Sequence, residues 1–281
     1  MKLIKIDANF FRVDGGAMFG VVPKKLWQRQ YPCDENNLCE IALNCLLIDL
    51  GNRKILIDTG AGNKHTRLLN SYGFSTITDI RDEIIRNGYS PSEITDVVLT
   101  HLHFDHCGGC TFYEENSSEF RLTFPNATHW VGVKQWENFL SPNPREDDTY
   151  FIENMQAVAD AGKLKLIHEN TWLCPKIELR LFNGHTYGQL VPYIHTPKQA
   201  MIYVGDVIPL AAAVRLRWVS AYDIQPLVSM QEKETLLKEA VEKNQVLFFE
   251  HDRYNDCCTI EEKQNRYVVK NTFPFNPEYY T

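Results

Sequence analysis

The chain has 281 residues, of which 44% are hydrophobic and 23% are charged, and its formal net charge is -7. This composition is typical of a globular protein and excludes a disordered chain, a collagen-like repeat and a coiled coil. A chain of this length can bury roughly three quarters of its unfolded surface, so its core needs no disulfide bonds. No linker is evident, and we predict a single domain over residues 1–281.

The negative charge and the distribution of apolar residues bear on location and partners. An acidic chain does not attract polyanions, so we expect no nucleic-acid substrate and no binding to an anionic membrane surface. No apolar run approaches the ~20 residues that a membrane span needs. A secretory signal is not expected, because Lys5, Asp7 and Asn9 interrupt the first apolar run. We therefore predict a cytoplasmic monomer or homodimer that acts on a small molecule.

The eight cysteines are too few for a disulfide scaffold in a chain of this length, and we expect reduced thiols. Cys107-Gly-Gly-Cys110 has the spacing of a redox or zinc site. A zinc site of this type needs a second pair, and Cys257-Cys258 lacks the two-residue spacer. We interpret the spacing as a coincidence within another motif and expect no chemical role for cysteine.

The N-terminal third is predicted to be rich in strands. Apolar runs at residues 41–50 and 54–58 flank Gly51-Asn52, which predicts a β-hairpin. The second run ends in a glycine-containing loop at residues 58–62.

Two helix signals and a strand follow. The spacing of apolar residues predicts a helix over 78–87, with one face formed by Ile80, Ile84 and Ile85. Ser90-Pro91-Ser92-Glu93 has the capping-box pattern of a helix start. Residues 97–99 predict a short buried strand that leads directly to His101.

The second half mixes helices and short strands. Helices are predicted over 133–140 and 149–161, with an exposed loop at 141–150 between them. Strands are predicted at 177–182, 190–195, 201–204 and 246–249. A capping box at Ser229-x-x-Glu232 predicts a helix whose buried side is formed by Leu236, Leu237, Ala240 and Val241. Because helices fall between groups of strands, we predict a layered α/β domain with much antiparallel pairing.

The segment His101-x-His103-x-Asp105-His106 places three imidazoles and one carboxylate within six residues. Zinc binds neutral imidazole nitrogens and carboxylate oxygens, and a catalytic site leaves one position for water. His101 and His103 alternate at a strand end, so both can reach one ion. Asp105 and His106 follow the strand end and can turn towards a second ion.

Two ions need ligands from elsewhere, and three strand ends offer them. His185, Asp206 and His251 each follow an apolar run. Taken alone, such a histidine is more often structural, and such an aspartate more often caps a turn. Their common position at the carboxyl ends of strands favours a shared site, because open sheets collect ligands along that edge.

With these segments in view, the sequence resembles the metallo-β-lactamase-fold hydrolase superfamily, in particular its lactonase-like and organophosphate-hydrolase-like branches. The matching segments are Asp58-Thr59-Gly60, His101-x-His103-x-Asp105-His106-x-Gly108-Gly109, Gly184-His185-Thr186, Gly205-Asp206 and Glu250-His251. They fall in the family's order and span nearly the whole chain. The resemblance implies a four-layer αββα sandwich of mixed α/β class, with two metal ions in a cleft at one sheet edge.

The resemblance also implies a role for each matching residue. The ligands of metal one are His101, His103 and His185. The ligands of metal two are Asp105, His106 and His251. Asp206 bridges both ions, and Asp58 orients a ligand histidine, unless it only caps a turn before the glycines. The remaining histidines match nothing and are expected to be structural or exposed: His65, His129, His168 and His195.

The implied chemistry is hydrolysis. Two zinc ions that share a water lower its pKa towards neutrality and provide a bridging hydroxide without a side-chain base. Asp105 and Asp206 are then the catalytic carboxylates, with Asp105 able to relay a proton to the leaving group. A set of histidine and aspartate ligands suits zinc, but also iron, manganese or cobalt.

Two segments are candidates for the walls of a substrate pocket. Residues 14–23 resemble the N-terminal loop over the cleft in these branches, and they would present Met18 and Phe19. Residues 208–223 are a second candidate wall and would present Trp218 and Tyr222. Apolar walls suit a neutral acyl substrate. For Met18 and Phe19, packing in a core is an alternative of equal weight.

The substrate remains open at this point. Homoserine-lactone-cleaving members carry Tyr three residues after the bridging Asp, where this sequence has Pro209, and Tyr222 is a candidate replacement. We expect a lactone or carboxyl ester, and the alternative is a phosphoester, phosphotriester or thioester on the same metals. A binding protein with a vestigial site is disfavoured because all seven ligands are present.

Overall fold

The computed structural model describes residues 1–74, 77–114 and 119–279. The chain divides into two compact units. The first consists of Met1–Asn9, Leu43–Glu169 and Gly188–Leu190, and the second of Phe10–Ala42, Asn170–Tyr187 and Val191–Thr281. The prediction of a single domain stays a prediction.

The structure is mixed α/β, as predicted. Its strands are β1 (Lys2–Asp14), β2 (Leu38–Asp49), β3 (Lys54–Ile57), β4 (Asp96–Val98), β5 (Thr111–Tyr113), β6 (Phe120–Leu122), β7 (Thr128–Gly132), β8 (Leu164–Ile167), β9 (Thr171–Cys174), β10 (Ile177–Phe182), β11 (Gln189–Ile194), β12 (Met201–Tyr203), β13 (Val246–Phe248), β14 (Cys257–Lys263) and β15 (Arg266–Phe273). Its helices are α1 (Gly15–Phe19), α2 (Lys24–Trp27), α3 (Thr66–Ser71), α4 (Ile80–Arg86), α5 (Phe104–Cys107), α6 (Val133–Leu140), α7 (Gln156–Asp160) and α8 (Pro226–Glu242). No helix within the described ranges is long and apolar enough to cross a membrane.

The first unit is built on a sheet with the strand order β1-β2-β3-β4-β7-β8. β2 and β3 form the predicted antiparallel hairpin, while β3, β4 and β7 run parallel. Every residue of β4 is buried, which is typical of a central parallel strand with both faces covered. The carboxyl ends of β3 and β4 lie side by side, since the Asp58 N–H donates to the Val98 carbonyl at 2.9 Å.

The second unit is built on a sheet with the order β15-β14-β13-β12-β11-β10-β9. Its buried centre consists of β12 and β13, which run parallel to each other. The chain leaves β12 towards Asp206 and leaves β13 towards His251. The two residues therefore follow neighbouring strand ends, as the sequence predicts.

Three predicted helical features differ from the structure. Ile80 and Ile84 of α4 are buried, but Ile85 is 58% exposed, because the turn of about 100° per residue along a helix points it away from the apolar face. The capping box at 90–93 is formed, yet it starts a single 3₁₀ turn that leads into β4. Only residues 152–154 and 156–160 of the predicted helix 149–161 are helical.

The predicted capping box at Ser229 is wrong, because α8 already begins at Pro226. Its Glu232 carboxylate instead accepts the backbone N–H groups of Asn183 and Gly184, at 2.8 and 2.9 Å. On the buried side of this helix, Leu236, Leu237 and Ala240 are buried as predicted, whereas Val241 is only half-buried.

Candidate metal centre

In the first unit, the loop after β4 carries the histidine-rich motif and is fixed by Asp58. The Asp58 carboxylate is fully buried and accepts the Thr100 N–H at 2.7 Å and the Thr100 hydroxyl at 2.6 Å. Its Oδ2 also lies 3.2 Å from Nδ1 of His106. Asp58 has a left-handed backbone conformation, with φ of 55°, which these contacts stabilise.

Two glycines of the motif permit close approach of two loops in the first unit. A Cβ atom at Gly62 would clash with the Gly108 carbonyl, and one at Gly108 would clash with Ala61. The loop after β3 can therefore lie directly against the histidine-rich loop only because these positions lack side chains.

The motif histidines of the first unit lie close together and are buried. His101 Nε2 is 2.9 Å from His103 Nδ1, and the His101 and His106 rings have centroids 3.8 Å apart. Zinc lies about 2.0–2.1 Å from each imidazole nitrogen, so two nitrogens at this separation can share one ion. The Asp105 Oδ2 atom lies 3.7 Å from His106 Nε2.

The second nitrogen of His103 faces a buried carboxylate that the sequence did not reveal. His103 Nε2 lies 3.1 Å from Oε1 of Glu146, which is 2% exposed. The Glu146 carboxylate also accepts from Asn138 Nδ2 at 2.9 Å and from the Tyr150 hydroxyl at 2.9 Å. The prediction of an exposed loop at 141–150 is therefore wrong at these two positions, because Glu146 and Tyr150 point inwards.

In the second unit, Asp206 lies between two histidines. One carboxylate oxygen, Oδ2, is 3.3 Å from Nε2 of His185. The other, Oδ1, is 3.0 Å from Nε2 of His251. Both imidazoles are buried, and the Asp206 side chain is 14% exposed. Each oxygen of the Asp206 carboxylate is thus directed at a different imidazole.

The other ring nitrogens of these two histidines are also engaged. His185 Nδ1 lies 2.9 Å from Oδ1 of the buried Asp223, and His251 Nδ1 lies 2.9 Å from the Ala42 carbonyl. Such partners fix the ring orientation and leave Nε2 as the nitrogen that can bind a metal. The donors are thus preorganised imidazoles and carboxylates, which fit a divalent metal of the zinc type.

Three acidic residues around these histidines have no role that was predicted from the sequence. Glu146 and Asp223 follow no motif, and their sequence positions carry no signal for their contacts. Glu250 does have a signal, because it directly precedes His251 after a buried strand. It is fully buried, and one of its oxygens lies within 4.8 Å of ligand atoms of Asp206 and His251.

The candidate pocket residues of the second unit lie in different surroundings. Phe19 is buried and stacks on Trp27, with ring centroids 5.0 Å apart, and Trp218 packs edge-on to Phe19 at 5.9 Å. Met18 is buried as well, whereas Tyr222 is 44% exposed. Their contact with a substrate stays a prediction.

We expect Cys107→Ser to leave the metal content and the turnover rate unchanged. Cys107 is fully buried, its Sγ lies 3.3 Å from the Leu102 carbonyl, and burial raises the pKa of the thiol. A thiol held in the protonated form is a poor metal ligand. Elemental analysis of the variant checks this, and the loss of one metal equivalent would identify Cys107 as a ligand.

Comparisons with known proteins show which family and which structures the chain resembles. Residues 41–116 match the model of the metallo-beta-lactamase superfamily. A probable metal-dependent hydrolase from Staphylococcus aureus has a similar structure, with a TM-score of 0.85 and 29% identity over 97% of this chain and 98% of that chain. AidC, a dizinc quorum-quenching lactonase, has a TM-score of 0.80 and 19% identity over 98% and 95% of the two chains.

Curated relatives fall into two groups. The N-acyl homoserine lactonase of Bacillus thuringiensis is 23% identical over 241 residues, which are 76% of this chain and 83% of that protein. The Integrator complex subunit 11 homolog of Dictyostelium discoideum is 23% identical over 177 residues, which are 59% of this chain. The chain spans only 22% of the length of that protein and 28% of the Integrator complex subunit 11 of Danio rerio.

The predicted resemblance to the metallo-β-lactamase superfamily is confirmed by the family model over residues 41–116 and by the similar structure from Staphylococcus aureus. The predicted fold type is confirmed as well, because similar structures cover 97% and 98% of this chain.

Proposed function

We propose that this protein is a dinuclear metal-dependent hydrolase of lactones or carboxyl esters. The observation that carries the proposal is Asp206, whose two carboxylate oxygens face His185 and His251 separately. A carboxylate that served a single ion would need only one of these contacts.

The proposed ligands follow the family's motif order. Metal one would be held by His101, His103 and His185, metal two by Asp105, His106 and His251, and both by Asp206. Support comes from the sequence motifs and from the contacts within each unit. One ring nitrogen of each of these histidines lies within hydrogen-bond distance of a protein partner, which would leave the other nitrogen to bind a metal.

The ligand set favours zinc and also suits iron, manganese or cobalt. Two bound divalent ions would lower the pKa of a shared water, so that hydroxide forms near neutral pH, and would polarise the scissile carbonyl. Asp105 Oδ2 is placed beside His106 Nε2 and remains partly exposed, so it can hold a proton and deliver it to the leaving alkoxide. Glu146 and Asp223 keep two of the imidazoles in a fixed tautomer and orientation.

The substrate class is supported by the relatives and by charge. Two relatives described above are lactonases by name, and they align over most of this chain. The net charge of -7 disfavours polyanionic substrates such as the nucleic acids. Pro209 replaces the tyrosine of homoserine-lactone-cleaving members, so we propose that Tyr222, which precedes Asp223, supplies the hydroxyl.

A substrate panel with zinc-loaded protein tests the proposal. The panel contains a short and a long N-acyl lactone, an aryl carboxyl ester, a thioester, a phosphotriester and single-stranded RNA. We expect turnover of a lactone or the carboxyl ester, complete loss after chelation, and recovery with two zinc equivalents per chain. Turnover of the phosphotriester or the thioester alone would support the alternative substrate classes, and cleavage of RNA alone would contradict the proposal.

A further inference from the structure

One lysine of the second unit is buried without a carboxylate in hydrogen-bond contact. Lys233 of α8 is 1% exposed, and its Nζ donates to the backbone carbonyls of Ala213 and Trp218, the latter at 2.9 Å. Both carbonyls belong to residues 207–222, which lie between β12 and α8. We call these residues the bracketed loop.

The name reflects how the loop begins and ends. It follows Asp206 and precedes Asp223, and these two carboxylates contact the two nitrogens of the same imidazole, His185. The distances are 3.3 Å from Asp206 Oδ2 to Nε2 and 2.9 Å from Asp223 Oδ1 to Nδ1. Both ends of the loop are thereby anchored at a proposed metal ligand.

Between its ends, hydrogen bonds to backbone groups hold the loop in place. Near its start, the Ala211 N–H donates to Oδ2 of Asp252 at 2.9 Å. Near its end, the Ala221 N–H donates to the Ala17 carbonyl at 2.9 Å. Lys233 holds the stretch between these points through its two carbonyl contacts. The loop therefore has a defined conformation that depends on α8.

The chemistry of the lysine suits this task. Burial lowers the pKa of Lys233 to about 7, and the charge of Asp223 acts in the opposite direction. In either protonation state the amine has at least two N–H groups, and the loop offers two carbonyl acceptors. A methionine or leucine would fill the same volume without the cost of burying an amine. The presence of lysine therefore indicates a requirement for these two hydrogen bonds.

The loop also carries a candidate pocket residue. Lys233 fixes the backbone position of Trp218, because its Nζ donates a hydrogen bond to the carbonyl of that residue. The Trp218 ring packs against Phe19, with centroids 5.9 Å apart, and the Arg215 guanidinium lies 5.0 Å from the centroid of the Trp218 ring. Movement of the backbone at 218 would displace this group of side chains.

We propose that Lys233 is a positioning residue that fixes the bracketed loop and thereby sets which acyl groups the enzyme accepts. The specificity part rests on the proposed function. The positioning part does not, because it can be measured without a substrate.

The test compares Lys233→Met with Lys238→Met on the same helix. Lys238 is 68% exposed at its side chain and lies 4.0 Å from Glu242, so it is a matched control. We expect amide hydrogen exchange within 207–222 to accelerate at least about tenfold in Lys233→Met, since two hydrogen bonds are lost. Exchange in β12 and β13 should match the wild type, as should the zinc content. KM for a long N-acyl lactone should rise about tenfold, with kcat and the KM for a short lactone within twofold.

Two results would overturn the proposal. One is unchanged exchange in 207–222, and the other is faster exchange across the whole second unit with equal losses on long and short substrates. Should Lys233→Met fail to fold, Lys233→Gln keeps an N–H₂ donor and should show a smaller acceleration confined to the same loop. If the wild-type enzyme hydrolyses no lactone, the proposed function fails, while the exchange result still decides whether Lys233 fixes the loop.

Discussion

Asp206→Asn is expected to lower kcat/KM by at least about a hundredfold while the protein stays folded. Replacement of residues that merely orient metal ligands typically costs 10- to 100-fold, so the loss of a bridging carboxylate should exceed that range. The amide presents one oxygen and one N–H₂ group, so it cannot offer an anionic oxygen towards both His185 and His251. Asp206 is proposed as a ligand of both ions, so its replacement should weaken metal binding and release one ion.

Elemental analysis, kinetics and melting temperature together check this expectation. The variant should hold about one metal equivalent and melt close to the metal-depleted wild type. Asp82→Asn serves as a matched control, since Asp82 is exposed on α4 and should lose nothing. Two metal equivalents and near wild-type turnover at limiting zinc would show that Asp206 does not bridge.

The proposed metal ligands could be predicted from sequence because their signal is local. His101, His103, Asp105 and His106 lie within six residues, and the later ligands follow short apolar strands. Strand periodicity was equally informative: the predicted runs at 177–182 and 201–204 match β10 and β12 to within one residue. The clustered ligands and the apolar runs of the strands are both patterns among residues that are close in sequence, so both can be found without the structure.

The residues that orient these ligands could not be predicted, because they come from distant positions. Glu146 lies 43 residues after His103, and Asp223 lies 38 residues after His185. Glu146 also lies in the segment SPNPRED, whose polar composition is typical of an exposed loop. Burial of its carboxylate depends on donors such as Asn138 and Tyr150, which no periodic pattern connects to it.

Glu232 shows how a local pattern can mislead. Ser229-x-x-Glu232 satisfies the capping-box rule, but α8 starts three residues earlier with Pro226 in its first turn. The glutamate is then free of the capping role and binds the amides of residues 183 and 184, about 49 residues away in sequence. The same carboxylate therefore supports the loop that precedes His185.

Phe19→Ala is expected to lower the free energy of unfolding by about 3–5 kcal/mol, the usual cost of truncating a buried Phe. Phe19 is 1% exposed, stacks on Trp27 and contacts the rings of Tyr31 and Trp218. Its removal leaves a cavity and ends three aromatic contacts at once. For a protein of this size, the melting temperature should fall by roughly 6–20 °C.

Phe120→Ala provides the matched control, because Phe120 is 37% exposed and the same truncation there should shift the melting temperature little. The measurement also separates the two hypotheses for Phe19. If Phe19 is a core residue, its truncation lowers the melting temperature and weakens activity on long and short acyl substrates alike. If Phe19 borders the substrate, its truncation raises KM roughly ten- to a hundredfold for a long acyl group only and leaves the melting temperature unchanged. The burial of Phe19 and its position among three aromatic rings favour the role in the core. An unchanged melting temperature would therefore show that this aromatic cluster does not stabilise the fold.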